Sequence, residues 1–221
     1  MPKKITAKVK VDADPKRALA VLRRLQKEFP DAKCALDHET PHQLLAATIL
    51  SAQCTDKRVN LVTRDLFAKY PSVEAFAHAD QAEMESAVKS TGFFRNKATS
   101  LIRMSQDILE KHGGEVPRTM EELTALRGVG RKTANVLLGN AFGIPGLVVD
   151  THVTRLSNRL GFTSQKDAVK IEFELMNLFP RKWWTVSSHL LILHGRETCG
   201  ARRAECGSCA VRKLCPSADQ V

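Results

Sequence analysis

Cys199, Cys206, Cys209 and Cys215 follow a C-x6-C-x2-C-x5-C spacing that packs four thiols into one short loop. Four thiolates suit zinc or a cubane iron–sulfur cluster. Structural zinc more often sits between two paired C-x2-C knuckles. This loop has one such pair and wide outer gaps, which favours a 4Fe-4S cluster and leaves zinc as the alternative. Arg196, Arg202, Arg203, Arg212 and Lys213 share the loop, so a bound metal would brace a basic surface suited to phosphates. The plainer reading of those charges is a solvated loop. Cys34 and Cys54 stand apart and read as small, buried, apolar residues with no assigned chemistry.

A second constellation is Leu126-Arg127-Gly128-Val129-Gly130-Arg131-Lys132-Thr133-Ala134. Its glycines allow a tight turn that presents the amides around Gly128, Val129, Gly130 and Arg131 at a helix start, where they can hold a DNA phosphate. The same residues also serve as a plain helix–turn–helix connector. Lys132 falls in the first turn of the second helix, where the positive dipole end favours a free amine. A free amine there can attack C1′ of a deoxyribose, expel the base and leave a Schiff base that eliminates the 3′ phosphate. The plainer alternative is a surface lysine touching phosphate. Further on, Val148-Val149-Asp150-Thr151-His152 sets a carboxylate after an apolar stretch and before a helix. Asp150 is placed to cap that helix, and a capping carboxylate facing a cleft also stabilises positive charge on a sugar and moves protons.

Other elements must position these groups. The 221 residues can bury one substantial core or two small ones, and 43% apolar with 26% charged residues excludes disordered and fibrous classes. Lys and Arg number 34 against 24 Asp and Glu, a net charge of +10, which favours a polyanionic partner. Nucleic acid fits better than membrane, because no apolar run approaches the roughly 20 residues of a spanning helix. The opening Met1-Pro2-Lys3-Lys4-Ile5-Thr6 lacks a signal peptide's apolar core. A cytoplasmic monomer, nucleoid-associated if the source is bacterial, is the expectation.

Helical spacing dominates the chain. Asp14-Pro15 reads as a cap and first helical residue, followed by Ala18, Leu22, Leu25 and Phe29, with a stop near Pro30. The run from His42 to Ala52 is too continuously apolar for a surface helix and suggests a central buried one. Further helices are expected at Val59–Leu66, at Met84–Val88, from Leu101 to Gly113-Gly114, at Leu156–Leu160 and Ile171–Phe179, and around Trp184–Leu191. No alternating run bounded by hairpin turns is present, so the fold class is all-α. Gly143-Ile144-Pro145-Gly146 is the one linker-like stretch within the body.

Taken together, these residues resemble the helix-hairpin-helix DNA glycosylases and, among them, the endonuclease III family. The resemblance covers nearly the whole chain after about residue 15. It implies Leu126–Ala134 as the hairpin, Lys132 as the Schiff-base lysine, Asp150 as the catalytic aspartate and the four cysteines as ligands of a 4Fe-4S cluster. It also implies that Leu50–Asp56 and Thr91–Lys97 are DNA-insertion loops. Gln53 would fill the gap left by an everted nucleotide, and Phe93 would wedge between bases of the opposite strand. The competing assignment for Phe93 is burial in the core. The implied architecture is two helical lobes with a DNA cleft between them: a six-helix barrel over residues 34–144, and a cluster domain of residues 1–33 with 145–221.

The implied activity is bifunctional, removing oxidised pyrimidines and cutting abasic sites in double-stranded DNA. Two positions depart from the commonest family pattern: Arg127, where proline is usual, and Phe93, where an aliphatic wedge is frequent. Arg127 gives up proline's stiffness and adds charge near the phosphate. The nearest rival is the monofunctional adenine mismatch glycosylase, which lacks the lysine and carries an extra C-terminal domain. Lys132 and the chain's end at Val221 speak against it. A non-catalytic duplex-DNA-binding module would leave the pairing of Lys132 with Asp150 without purpose.

Overall fold

The computed structural model describes residues 11–221, and the Met1–Thr6 segment read above for a signal peptide lies outside that range. Among the described residues the regular elements are helices, and one isolated antiparallel bridge joins Cys199 to Ala204. The helices are α1 (Pro15–Glu28), α2 (Pro41–Leu50), α3 (Asp56–Lys69), α4 (Val73–Ala77), α5 (Gln81–Val88), α6 (Phe94–His112), α7 (Met120–Ala125), α8 (Arg131–Ala141), α9 (Thr151–Arg159), α10 (Ala168–Leu178) and α11 (Trp184–Glu197). The chain divides into two compact units, one of Cys34–Ile144 and one joining the stretch up to Lys33 with Pro145–Val221.

Capping residues fix where most helices begin. Asp14, Thr40, Thr55, Ser72, Asp80, Thr119, Asp150 and Asp167 each accept a hydrogen bond from an amide in the first turn that follows. Such a bond satisfies an otherwise orphaned N–H and contributes about 1 kcal/mol. The helices begun without a side-chain cap are α6 at Phe93, α8 at Gly130 and α11 at Trp183. Two of those three starts are positions that the sequence assigns to DNA contact.

In Cys34–Ile144, α2 is the central element. Eight of its residues are buried, from His42 and Leu44 through Leu50, and it packs against α3, α6 and α8, while α6 covers α4 and α5. Continuous burial explains why its apolar residues show no single face. Phe76 of α4 is fully enclosed, with the His42 ring edge-on at 4.8 Å and Tyr70 at 5.6 Å. The one-turn α4 was not announced by apolar spacing. Ser72, following Pro71, starts it by accepting from the amide of Ala75, and burial of Phe76 and Ala77 holds it. Cys34 and Cys54 are half-buried against this core.

In the other unit, Ala18, Val21, Leu22 and Leu25 form the buried stripe of α1, which meets Leu190 and Leu191 of α11, Leu156 of α9 and Ile171 and Leu175 of α10. Phe162 and Phe179 meet edge-on at 5.5 Å. Arg17 fastens α1 by donating to the carbonyls of Leu160 at 2.9 Å and Leu214 at 3.0 Å. No helix among the described residues is long and apolar enough to cross a membrane.

Candidate DNA-contact loops, catalytic residues and cysteine site

The hairpin joins α7 to α8. Leu126, Val129 and Ala134 are buried in the core of the Cys34–Ile144 unit, while Arg127, Gly128, Gly130 and Lys132 are exposed. Apolar anchors therefore pin the turn from beneath and leave its polar side open. Gly128 has φ +78, and a Cβ there would lie 2.9 Å from the Cβ of Ser100. Both the left-handed backbone and the adjoining α6 demand glycine. The amide of Val129 closes the turn onto the carbonyl of Leu126 at 3.2 Å. Gly130 then begins α8, and no side chain caps that start. Arg131 is half-buried, and Lys132 follows it in the first turn.

Arg127 makes a contact that proline cannot. Its backbone N–H donates to Oδ2 of Asp107 on α6 at 3.3 Å, and Asp107 also pairs with Lys111. The hairpin thereby recovers through a hydrogen bond part of the restraint that a proline ring would supply.

Gln53 and Phe93 share a rare backbone state. With Asp219 they are the non-glycine residues of positive φ among those described, at +54 and +48. Gln53 is exposed, and Phe93 is 62% exposed, so burial in the core is not the role of Phe93. A left-handed conformation costs a side-chain-bearing residue on the order of 1–3 kcal/mol and persists where the surroundings enforce it.

In the second unit, Asp150 is the N-cap of α9, its Oδ1 accepting from the amide of Val153 at 2.8 Å. The chain entering it is steadied by the amide of Val148, which donates to Oγ of Ser188 at 2.8 Å. One turn into α9, Arg155 donates to the carbonyls of Gly195 at 2.8 Å and Cys199 at 3.1 Å, and lies 3.2 Å from Nδ1 of His152. Gly195 allows this close approach, because a Cβ there would stand 2.9 Å from His152 Nδ1.

Arg159, one turn further, holds the cysteine loop. It donates to Sγ of Cys199 at 3.2 Å and to the carbonyls of Gly200 at 2.8 Å and Ala201 at 3.2 Å. Cys199, Cys206, Cys209 and Cys215 line one pocket together with Leu156, Leu160, Val211 and His194. His194 is buried, which pushes its pKa down to about 4 and keeps it neutral, with Nε2 3.7 Å from Sγ of Cys209. Burial pushes the Cys209 and Cys215 thiols up, and the charge of the neighbouring cysteines adds to it. Among the described residues no group of three or more His, Cys, Asp or Glu side chains converges as a ready ligand set. Four thiols around one largely apolar space nevertheless form a donor set that keeps its negative charge only beside a cation. Of the basic residues in the loop, Arg202, Arg203, Arg212 and Lys213 are exposed, with Arg203 paired to Glu205 and Arg212 to Asp219.

Sequence reasoning missed Arg155 and Arg159, although their separation by four places on one face of α9, after a capping aspartate, is a legible signal. It also missed Lys97, whose burial nothing local announces.

The chain matches the model of the HhH-GPD superfamily base excision DNA repair protein over residues 46–181. It is 52% identical to the endonuclease III of Synechocystis, covering 95% of this chain and 96% of that one. With the endonuclease III of Bacillus subtilis the identity is 47% over 85% and 86%, and with that of Escherichia coli 39% over 93% and 97%. Among solved structures, a non-covalent endonuclease III–DNA complex superposes with a TM-score of 0.88 at 42% identity, covering 93% of this chain and 97% of that one. A thermostable thymine-DNA glycosylase reaches 0.85 at 22% identity, a likeness of fold. With its glycine hairpin, lysine, capping aspartate and four cysteines set on this helical frame, the chain belongs to the HhH-GPD superfamily of base excision DNA repair proteins and, within it, to the endonuclease III family.

Proposed function

We propose that this chain is a bifunctional DNA N-glycosylase and abasic-site lyase that removes oxidised pyrimidines from double-stranded DNA, acting as a monomer. The observation that carries the reading is Lys132, exposed in the uncapped first turn of α8 behind a turn that only glycine can form. The amides at the start of α8 and the Arg131 side chain hold a phosphate of the strand, which presents the sugar to the amine. The lone pair of Lys132 Nζ forms a bond to C1′ as the C1′–N bond breaks and the base leaves with the electron pair and a proton. Opening of the sugar gives an iminium between C1′ and Nζ. Loss of a proton from C2′ then expels the 3′ phosphate, and water returns Lys132.

Asp150 uses one oxygen to cap α9. Its second oxygen stabilises the positive charge that grows on the sugar and relays the protons of these steps. Gln53 and Phe93, exposed and held in the left-handed region, fill and wedge the duplex, offsetting an unstacking cost of a few kcal/mol. Cys199, Cys206, Cys209 and Cys215 would hold a 4Fe-4S cluster, which fixes their basic loop against DNA. Glycosidic cleavage and β-elimination need no net electron transfer.

Borohydride trapping on a duplex containing thymine glycol tests the reading, comparing the native chain with Lys132→Gln at one salt concentration. A covalent adduct formed by the native chain and absent from the variant is expected. Base release by the native chain without any adduct would replace the Schiff base with a monofunctional reaction that uses Asp150 and water.

A further inference from the structure

Lys97 is buried to 5% exposure, and its ammonium sits between the two loops assigned to insertion. Nζ donates at 2.8 Å to the carbonyl of Leu50, the last residue of α2 and the entry to the Gln53 turn. It donates again at 2.8 Å to the carbonyl of Thr91, two residues before Phe93. Its backbone amide donates to the carbonyl of Phe93 itself at 3.1 Å. The C-terminus of α2 is otherwise closed by Ser51, whose amide bonds Ala47 and whose hydroxyl bonds Thr48, and by the amide of Ala52 on Ile49. Lys97 completes that set at Leu50, where a cation also suits the negative end of the helix dipole. Arginine and lysine are rarely enclosed without such a purpose, because a buried charge is costly unless its donors are matched.

From this geometry we infer that Lys97 is a positioning residue that couples the Gln53 and Phe93 loops, so that filler and wedge enter the duplex as one unit. The inference rests on the proposed insertion roles of those two residues. Gln53 and Phe93 each hold a disfavoured backbone state, and the Lys97 side chain bonds to the segment leading into each of their turns. Removing its ammonium strands two buried carbonyls and lets each loop relax toward ordinary backbone angles independently. Eversion then loses its paired support, while the hairpin and Lys132 stay in place.

The test is a double-mutant cycle on the full-length holoenzyme with Lys97→Met, Phe93→Ala and the pair, reading single-turnover excision of thymine glycol from duplex DNA. Lys97→Met is expected to slow excision on the order of tenfold to a hundredfold, the scale of a misplacement near 1 Å. Trapping at a preformed abasic site, where no base must be unstacked, is expected to fall several-fold less. In the Phe93→Ala background the further loss from Lys97→Met is expected to shrink below about threefold, since coupled residues are not additive. Losses that multiply independently, or that fall equally on excision and trapping, would overturn the proposal. If Lys97→Met does not fold, Lys97→Arg carries the same cycle with its cation retained, and additivity there is equally fatal. Full activity of both Gln53→Ala and Phe93→Ala would remove the insertion reading itself and the coupling with it. Wild-type excision without an effect of Lys97→Met would remove the coupling alone.

Discussion

The two units present their functional groups by different means. In Cys34–Ile144, backbone conformation does much of the placing: Gly128, Gln53 and Phe93 all lie at positive φ, with buried Leu126, Val129 and Ala134 locking the hairpin from below and Lys97 bonded to the segments that lead into the other two turns. In the other unit, side-chain hydrogen bonds do it: Asp150 caps α9, and Arg155 and Arg159 tie that same helix to the backbone and sulfur of Cys199. The Gly128 hairpin, placed by backbone, tolerates loss of a side chain beyond the turn but not a Cβ inside it. A site placed by charged donors fails when one partner goes, because the remaining buried groups are left unmatched.

The largest expected effect is at the cysteines. With the proposed 4Fe-4S cluster held by the four cysteines, Cys206→Ser should reduce bound iron to near zero and lower the thermal midpoint by on the order of 10 °C, since metal binding would then be folding free energy. Iron content and a melting curve read it, and a chain that melts unchanged without iron would break the distinction between the units.

Next is the pH response of His42, whose ring is enclosed against Phe76 and accepts no charge readily. Burial pushes its pKa down to about 4, and its Nε2 lies 2.9 Å from Oγ of Ser105. That hydroxyl donates to the carbonyl of Leu101, so it accepts from a neutral His42 protonated on Nε2. The folded value lies below the unfolded one near 6.5, so unfolding takes up a proton as pH falls between them. The stability is complete above about 6.5 and is lost as pH falls to 4, about 3 kcal/mol in all. Denaturant unfolding from pH 7 to 4 should show this slope, to which the likewise buried His194 adds, and His42→Gln should reduce it by the His42 share. A wild-type stability independent of pH across that interval would contradict a neutral, enclosed ring.

Gly128→Ala tests placement by backbone directly. The positive φ and the 2.9 Å approach to Ser100 together should cost about 2 kcal/mol. Adding Ser100→Gly should relieve the collision and leave the backbone strain, recovering part of the loss. Complete recovery would mean that crowding alone fixes the glycine.

The smallest effect is expected of Arg127→Pro. It exchanges a long, exposed amide bond to Asp107 for a stiffer unfolded chain. These opposing contributions are each about 0.5–1 kcal/mol, so stability should change little. Its signature lies in DNA affinity instead, where loss of one cation should reduce the slope of log K against log salt by about 1. An unchanged slope would place Arg127 away from phosphate.

Much of this molecule was written locally. The caps at Asp14 and Asp150 and the periodic stripes of α1, α6 and α9 placed those helices, because helix start and amphipathic face depend on residues three and four apart. The hairpin, Asp150 and the spacing of the four cysteines were legible for the same reason, as each is a contiguous motif. The five-residue α4 was not, because one turn is too short to show a period and its survival depends on burying Phe76. Nor did sequence reveal the enclosure of His42, the left-handed backbone of Gln53 and Phe93, or the bonds of Lys97 and Arg159 to segments forty or more positions away in the chain. Those arise only when distant segments pack, since a lysine or arginine is by composition a surface residue until tertiary structure gives its donors buried acceptors and excludes the water that would otherwise compete for them.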